Sequence, residues 1–370
     1  MGKWVVASRL VVGVTTLAAV TALTTACTDR EPGRDPLAWP FARTSIWNMP
    51  VGTSADYVPA DLPDVPGGNK WSPMPGLDAE YLLLDPDAPR TNLYYNGVGW
   101  DGGDRCKPGG NILATVPIPT EYTVPNNDHN NGAVFLLSDH RTILQSQPFT
   151  RCEADGPATS LLTFPEQDLY GDGISGAHGG SRLSSLGGSL RLGELRPGQQ
   201  GPRHALKLNV YGRQAFYKCQ TKDQCWTWPA SKADSDAVGN YGVDNNNQNT
   251  AMKMGALLAI PTSTNLGSLG LETEPASQLA WTLQNYGAYI VDDTSSPGFD
   301  FSAETGPQGS FSAQFAADYS FTFTQFVQDN TPWTRDMQRI VRALHVVANN
   351  SPTSIGGGGE PLQPLAPPIR

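Results

Sequence analysis

The sequence predicts a mainly β domain, an antiparallel β-sandwich with two peripheral helices, on three observations. Short runs of strand-forming residues recur at Glu80 to Leu84, Ile112 to Val116, Ala133 to Leu137 and Thr142 to Gln147. Turn clusters such as NNDHNNG before Ala133 and SDHR before Thr142 separate them, leaving no room for the helices of an alternating βαβ chain. Only two stretches carry a helical period, and both lie in the last third of the chain.

Taken in order, the chain opens with Lys3 and Arg9, an apolar run from Leu10 to Leu23, and the small residues Thr24, Thr25 and Ala26 before Cys27. A charged region, an apolar core and small residues in that order are the parts of an export signal. The stretch resembles a bacterial lipoprotein signal, although that family prefers Leu three residues before the cysteine, where Thr24 stands. The resemblance implies that residues 1–27 are the signal peptide with a lipidated Cys27. The mature chain is then expected outside the cytoplasm, lipid-anchored at the bacterial cell surface or secreted. Contact with the membrane is expected through the lipid only, because the apolar run is shorter than the roughly 20 residues of a span.

The signal holds two of the 25 basic residues and none of the 35 acids, which leaves a net charge of about −12. Such a chain lacks the basic surface that phosphate backbones need, so nucleic acid is excluded as a partner. Four further cysteines, Cys106, Cys152, Cys219 and Cys225, form an even set suited to an oxidising compartment. Of the three pairings, Cys106 with Cys152 and Cys219 with Cys225 is preferred, because the second pair closes a short hairpin-like loop. No C-x2-C or H-x3-5-H spacing supports a zinc site.

Residues 28–40 are charged, Pro-containing and without period, as in a flexible tether. Residues 41–350 show no second shift of composition and are expected to form a single β-rich domain, with Ile46 and Trp47 pinning its start to the core. Around Trp100 the run NGVGWDGGDR reads as an exposed turn system. The first helix is expected from Glu274 to Tyr286, with Thr273 as N-cap, Pro275 in the first turn and Gly287 as the stop. The second begins at Thr331 and places Met337, Ile340, Val341, Leu344 and Val347 on one face, with His345 inside it as a structural residue. Residues 351–370 are Gly- and Pro-rich and are expected to be a disordered tail.

Polar chemistry concentrates between Gly171 and Tyr211. GDGISG has the spacing G-x-G-x-x-G, but it leads into Gly/Ser loop and then strand rather than helix, so its glycines are read as turns that let backbone pack closely. In SLRLGELRPG a β-bulge at Gly193 would swing Glu194 onto the face of Arg191, where the guanidinium would favour an ionised carboxylate; a structural Arg and Glu pair is the competing reading. In HALKLNVY, Leu206, Leu208 and Val210 point one way, so Lys207, Asn209 and Tyr211 point the other, as in a strand lining a sugar groove. His204 begins that strand, and His178 lies in the adjoining segment. Farther on, Trp226 and Trp228 share a face if extended and can stack on sugar rings, with Asp234 and Asp236 just beyond. Asp292 and Asp293 end a strand and point to opposite faces; Glu304 is a weaker candidate. His129 and His140 fall in polar turns and are expected to face solvent.

No nucleophile elbow, S-x-x-K, P-loop or H-E-x-x-H pattern is present. No cofactor is required by these residues. DNNNQN after Val243 begins like a calcium loop but lacks its glycine and closing Glu, so a structural calcium there or near NNDHNN is only a secondary expectation.

Disulfides, short strands, polar strand faces, paired Trp and several carboxylates together resemble secreted, jelly-roll-like glycan-active proteins in style, without a motif that identifies one family. The resemblance implies a glycoside hydrolase acting on a polysaccharide or cell-wall glycan. One carboxyl group protonates the leaving oxygen and another serves as base or nucleophile. Glu194, Asp234, Asp292, Asp293 and His204 are the catalytic candidates, and His178, Arg191, Lys207, Asn209, Tyr211, Trp226 and Trp228 the substrate-binding ones. The alternatives are a polysaccharide lyase with a His or Tyr base and Arg and Lys against a uronate, and a non-catalytic carbohydrate-binding or wall-associated lipoprotein.

Overall fold

A computed structural model describes residues 1–4, 33–65 and 73–370. The expected signal, Cys27 and the first part of the tether lie outside the described residues, apart from the first four. Gly33–Arg370 is one compact unit and is mainly β.

Two sheets organise it. The larger has twelve strands among the described residues. Its path runs from the edge strand Tyr57–Pro59 through His345–Val347, Leu257–Ala259, Ala288–Asp293, Leu206–Val210, Phe299–Gly306, Gly76–Leu83, Gly132–Leu136 and Thr142–Gln147 to Leu162–Thr163. The smaller has three strands, Ile112–Pro117, Arg90–Tyr95 and Ala158–Ser160. Both sheets are mixed, where uniformly antiparallel ones were expected. Leu206–Val210 runs parallel to Ala288–Asp293, and Gly76–Leu83 runs parallel to both Phe299–Gly306 and Gly132–Leu136. Residue alternation tells which side chains share a face and says nothing of the partner's direction, which long-range connections decide.

Central strands are covered on both faces, so Gly132–Leu136 and Leu206–Val210 are buried throughout. On one face Leu206, Leu208, Ile290 and Phe301 meet helical residues Leu279, Leu283, Phe311, Phe315, Trp333 and Ile340. On the other, Leu82, Val134, Ile143 and Val291 are covered by Phe41, Ile46, Trp47, Leu183 and Leu186. A third cluster joins Tyr81, Leu83 and Phe135 to Leu93 and Val116 of the small sheet. Trp47 is 1% exposed and donates through Nε1 to the Gly173 carbonyl at 2.7 Å, so it anchors the domain's start as expected.

The two expected helices form at Glu274–Asn285 and Pro332–Ala343. Thr331 caps the second, its hydroxyl accepting from the Thr334 N–H at 3.2 Å. Thr273 makes no side-chain cap; its hydroxyl donates instead to Asp336 of the other helix, which also accepts the Thr273 N–H, both at 2.8 Å. The second helix ends before Leu344, and His345 and Val347 belong to a strand. The β-branched pair Val346 and Val347 suits that strand, which is held between Tyr57–Pro59 and Leu257–Ala259. A third helix, Phe311–Tyr319, was not anticipated; Ser310 caps it and Phe311 and Phe315 supply its buried face. Two further segments depart from expectation because backbone pairing, invisible in composition, holds them. Residues 351–370 pack on the domain, with Gly52 N–H to Gly356 and Leu362 N–H to Val51 at 2.9 Å each. Gly356 to Gly359 all take positive φ, which explains the glycine run. The end of the tether is fastened too, since the Arg34 side chain donates to Pro367 at 2.7 Å.

Cys106 is bonded to Cys152 and Cys219 to Cys225, the preferred pairing. Among the described residues no helix is long and apolar enough to cross a membrane. The bridges close loops of 46 and 6 residues. Chain entropy alone predicts that replacing Cys106 and Cys152 by Ala costs about 4 kcal/mol and replacing Cys219 and Cys225 about 2 kcal/mol, measured by urea unfolding.

Candidate functional site

Three neighbouring strands turn charged side chains into the interior. Asp78 and Glu80 come from Gly76–Leu83, Lys207 and Asn209 from Leu206–Val210, and Asp300 and Ser302 from Phe299–Gly306. Alternation puts each pair on one face, because residues two apart in a strand point the same way. Lys207 is fully buried. Its ammonium donates to Glu80 at 2.5 Å and to the carbonyls of Ser184 and Ser185 at 3.1 and 2.9 Å, which uses all three of its N–H groups. Burial pushes the partners away from charge, Lys207 down and Glu80 up, and each opposes the other's shift. His178 lies against them with Nε2 3.0 Å from the Ser302 hydroxyl and 3.1 Å from Glu80. Burial and then the Lys207 charge hold it well below the usual histidine range, so the ring is neutral. Asn209 donates to Asp78 at 3.2 Å.

Above this layer opens a cleft of about 710 Å³, lined in part by Trp100, Asn130, Asp234, Asp236, Asp292 and Asp293. Asp292 forms its floor at 5% exposure. Its Oδ1 accepts the N–H groups of Gly180 and Asp293 at 3.3 and 3.0 Å, and its Oδ2 accepts from the Asn130 amide at 2.9 Å. Asp234 stands on the adjoining wall, held by the Tyr241 hydroxyl. The glycine pair in AHGGS makes room for both acids: a Cβ on Gly179 would lie 2.1 Å from the Asp292 carboxyl, and one on Gly180 2.4 Å from that of Asp234. Asp293 accepts from the Gly212 N–H at 2.7 Å and from Asn240 at 3.1 Å.

These carboxyl groups titrate late. Burial, then the charges of Asp234 and Asp78, push Asp292 well above the ordinary carboxylate range. Burial raises Asp234 against the Tyr241 hydrogen bond, and pushes Asp293 up to about 7. Asp236 is solvent-exposed. Beside them, the Trp100 ring is 42% exposed, and its Nε1–H donates to Asn130 at 3.1 Å. A flat apolar ring at the rim and buried acids on the floor and wall can offer stacking and proton transfer to a molecule in the cleft.

The cleft thus gathers Asp234, Asp292 and Asp293, with His178, Lys207 and Asn209 beneath it; the last three do not line an open groove. The expected bulge at Gly193 is a turn, and Arg191 pairs with Glu304 at 2.8 Å instead of Glu194. Glu194 accepts from the Arg191 N–H at 2.8 Å and meets His204 Nε2 at 2.9 Å, beside Trp39 and Trp47 and apart from the cleft lining. Tyr211 turns to Asp244. Trp226 packs on the helical side of the large sheet and Trp228 on the opposite cluster, so they build no common platform. Asp78, Glu80, Asn130, Tyr241 and Trp100 were missed as site residues. In GLDAEYLL the alternation of Asp78 and Glu80 with Leu77, Ala79 and Tyr81 was the readable signal. Among the described residues no group of His, Cys, Asp and Glu has metal-binding geometry.

Comparison with known protein families, with curated proteins and with solved structures gave no match.

Lys207→Met strands Glu80 without its cation and is expected to cost about 3–5 kcal/mol in urea unfolding. A second outcome concerns pH. Asp293 ionises near 4 when unfolded and near 7 when folded, so its contribution is whole below pH 4 and is lost as pH rises toward 7. Asp293→Asn should therefore flatten the fall in melting temperature between pH 4.5 and 8; an unchanged slope refutes the assignment.

Proposed function

We propose that the chain is a glycoside hydrolase, with Asp292 as the general acid and Asp234 as the base or nucleophile. The observation that carries this reading is the meeting of these two acids in one cleft with unlike surroundings. Asp292 is nearly excluded from water and keeps its proton, whereas Asp234 is more open, and the upward push of burial on it is opposed by the hydrogen bond from Tyr241. Protonating a glycosidic oxygen needs the first property, and attacking the anomeric carbon or activating water needs the second. Trp100 would stack on a sugar ring at the rim. Lyase chemistry is less well supported, because Arg191 and Lys207, its expected cations, are engaged by Glu304 and Glu80. Two disulfides accord with work outside the cytoplasm, and a lipid on Cys27 would hold the enzyme near a wall or environmental polysaccharide.

Release of reducing ends from a panel of neutral polysaccharides tests this. Asp292→Asn and Asp234→Asn should each lower turnover by about 10²–10⁴ while oligosaccharide binding persists, and Glu194→Gln should leave turnover unchanged. Full turnover in Asp292→Asn would remove it as the acid.

A further inference from the structure

Beneath Asp292 lies a histidine nitrogen that the buried layer leaves without a partner. His178 is 2% exposed, and its two ring nitrogens meet different surroundings. Nε2 has three oxygens near it: Ser302 Oγ at 3.0 Å, Glu80 Oε1 at 3.1 Å and Asp78 Oδ2 at 3.6 Å. Ser302 and Glu80 are within hydrogen-bond reach of Nε2, and no acceptor is that close to Nδ1, so Nε2 is the N–H and Nδ1 of the neutral ring is the lone pair. Nδ1 is buried, finds no hydrogen bond among the described residues, and faces Asp292 Oδ2 at 3.7 Å, a few tenths of an ångström beyond hydrogen-bond length, so a small closure of the two side chains joins them.

Two lone pairs do not face each other in a buried site without cost, and one proton resolves the conflict. The contacts of Asp292 say where it sits. Oδ1 takes two backbone N–H groups, as a carbonyl oxygen does. Oδ2 accepts one N–H from Asn130 and points at an acceptor, as a hydroxyl does. We propose that His178 is the positioning residue of the acid: its neutral ring, protonated at Nε2, offers Nδ1 to the Oδ2–H of Asp292 and keeps that group loaded with its proton.

This rests on the reading of Asp292 as the acid, and it explains how that carboxyl group holds its proton. The groups facing the pair come from several elements: Asp78 and Glu80 on Gly76–Leu83, Ser302 on Phe299–Gly306 beside it, Lys207 on Leu206–Val210 beyond that, and Asp234 across the cleft. Lys207 opposes a second positive charge on the ring, and the surrounding acids oppose ionisation of Asp292. The proton is thereby confined to the carboxyl oxygen.

Nitrogen-15 NMR of the intact protein labelled at histidine reads this directly. The signals absent from His178→Asn belong to His178. They should show one protonated nitrogen, Nε2, and one unprotonated nitrogen, Nδ1, from pH 5 to 8. The Nδ1 signal should move downfield in Asp292→Ala, which removes its donor. A doubly protonated ring, a proton on Nδ1, or an Nδ1 signal indifferent to Asp292→Ala overturns the proposal. In turnover, His178→Ala should shift the alkaline limb of the pH profile down by about one unit with KM little changed, and His178→Asn, whose amide oxygen can accept near the place of Nδ1, should restore it. If no glycan is cleaved while the NMR pattern holds, the hydrolase reading fails and the proton arrangement stands. If Asp292 is needed for cleavage but the ring is cationic, the hydrolase reading survives and this inference fails.

Discussion

A lysine ammonium with no exposed surface sits at the centre of this fold, and the strands around it are arranged to satisfy it. Lys207 reaches Glu80 across the intervening strand Phe299–Gly306, and two carbonyls of the Ser184–Ser185 loop complete its partners. Those partners arrive only if Gly76–Leu83, Phe299–Gly306 and Leu206–Val210 lie side by side in the observed register. A buried ion pair contributes little net stability, but losing either partner is expensive, so it penalises wrong registers more than it rewards the right one. The same registration brings His178 against Glu80 and Ser302, and sets the floor on which Asp292 rests.

The layer has a second consequence above it. The side chains beneath Asp292 are buried, its charged neighbours are acids, and its oxygens are held by two backbone N–H groups and one amide. Asp234 shares the cleft but keeps contact with solvent. Two chemically identical groups therefore meet different dielectric surroundings, and burial raises the proton affinity of both, that of Asp292 to well above the ordinary carboxylate range. Glycines at 179 and 180 are required on steric grounds, since side chains there would occupy the space of the two carboxyls. The polar loops that looked unremarkable in sequence, around Asn130 and Trp100, supply the wall and the rim.

Glu194 shows how the sequence misled. A bulge was the natural way to place it beside Arg191 within a strand, yet the segment turns, with Gly193 at φ +92°. Its carboxylate then serves the Arg191 backbone and His204, and the guanidinium finds Glu304 from a strand over a hundred residues later. Trp226 and Trp228 failed for a related reason: their spacing implies one face only in an extended strand, and the chain there is largely irregular.

From the sequence by itself came the β character, the two helices of the last third of the chain, the four-cysteine pairing and the anchoring Trp47. All of these rest on local periodicity, capping, turn chemistry and loop length, which act over a few residues. The mixed direction of the sheet, the ordered C-terminal segment, the partners of Arg191 and the burial of Lys207 were decided by tertiary structure. Each depends on which distant strand lies alongside, and no local pattern encodes that. The cleft belongs to this second group: Asp78, His178 and Asp292 are far apart in the chain, and only the packing of three strands makes them neighbours.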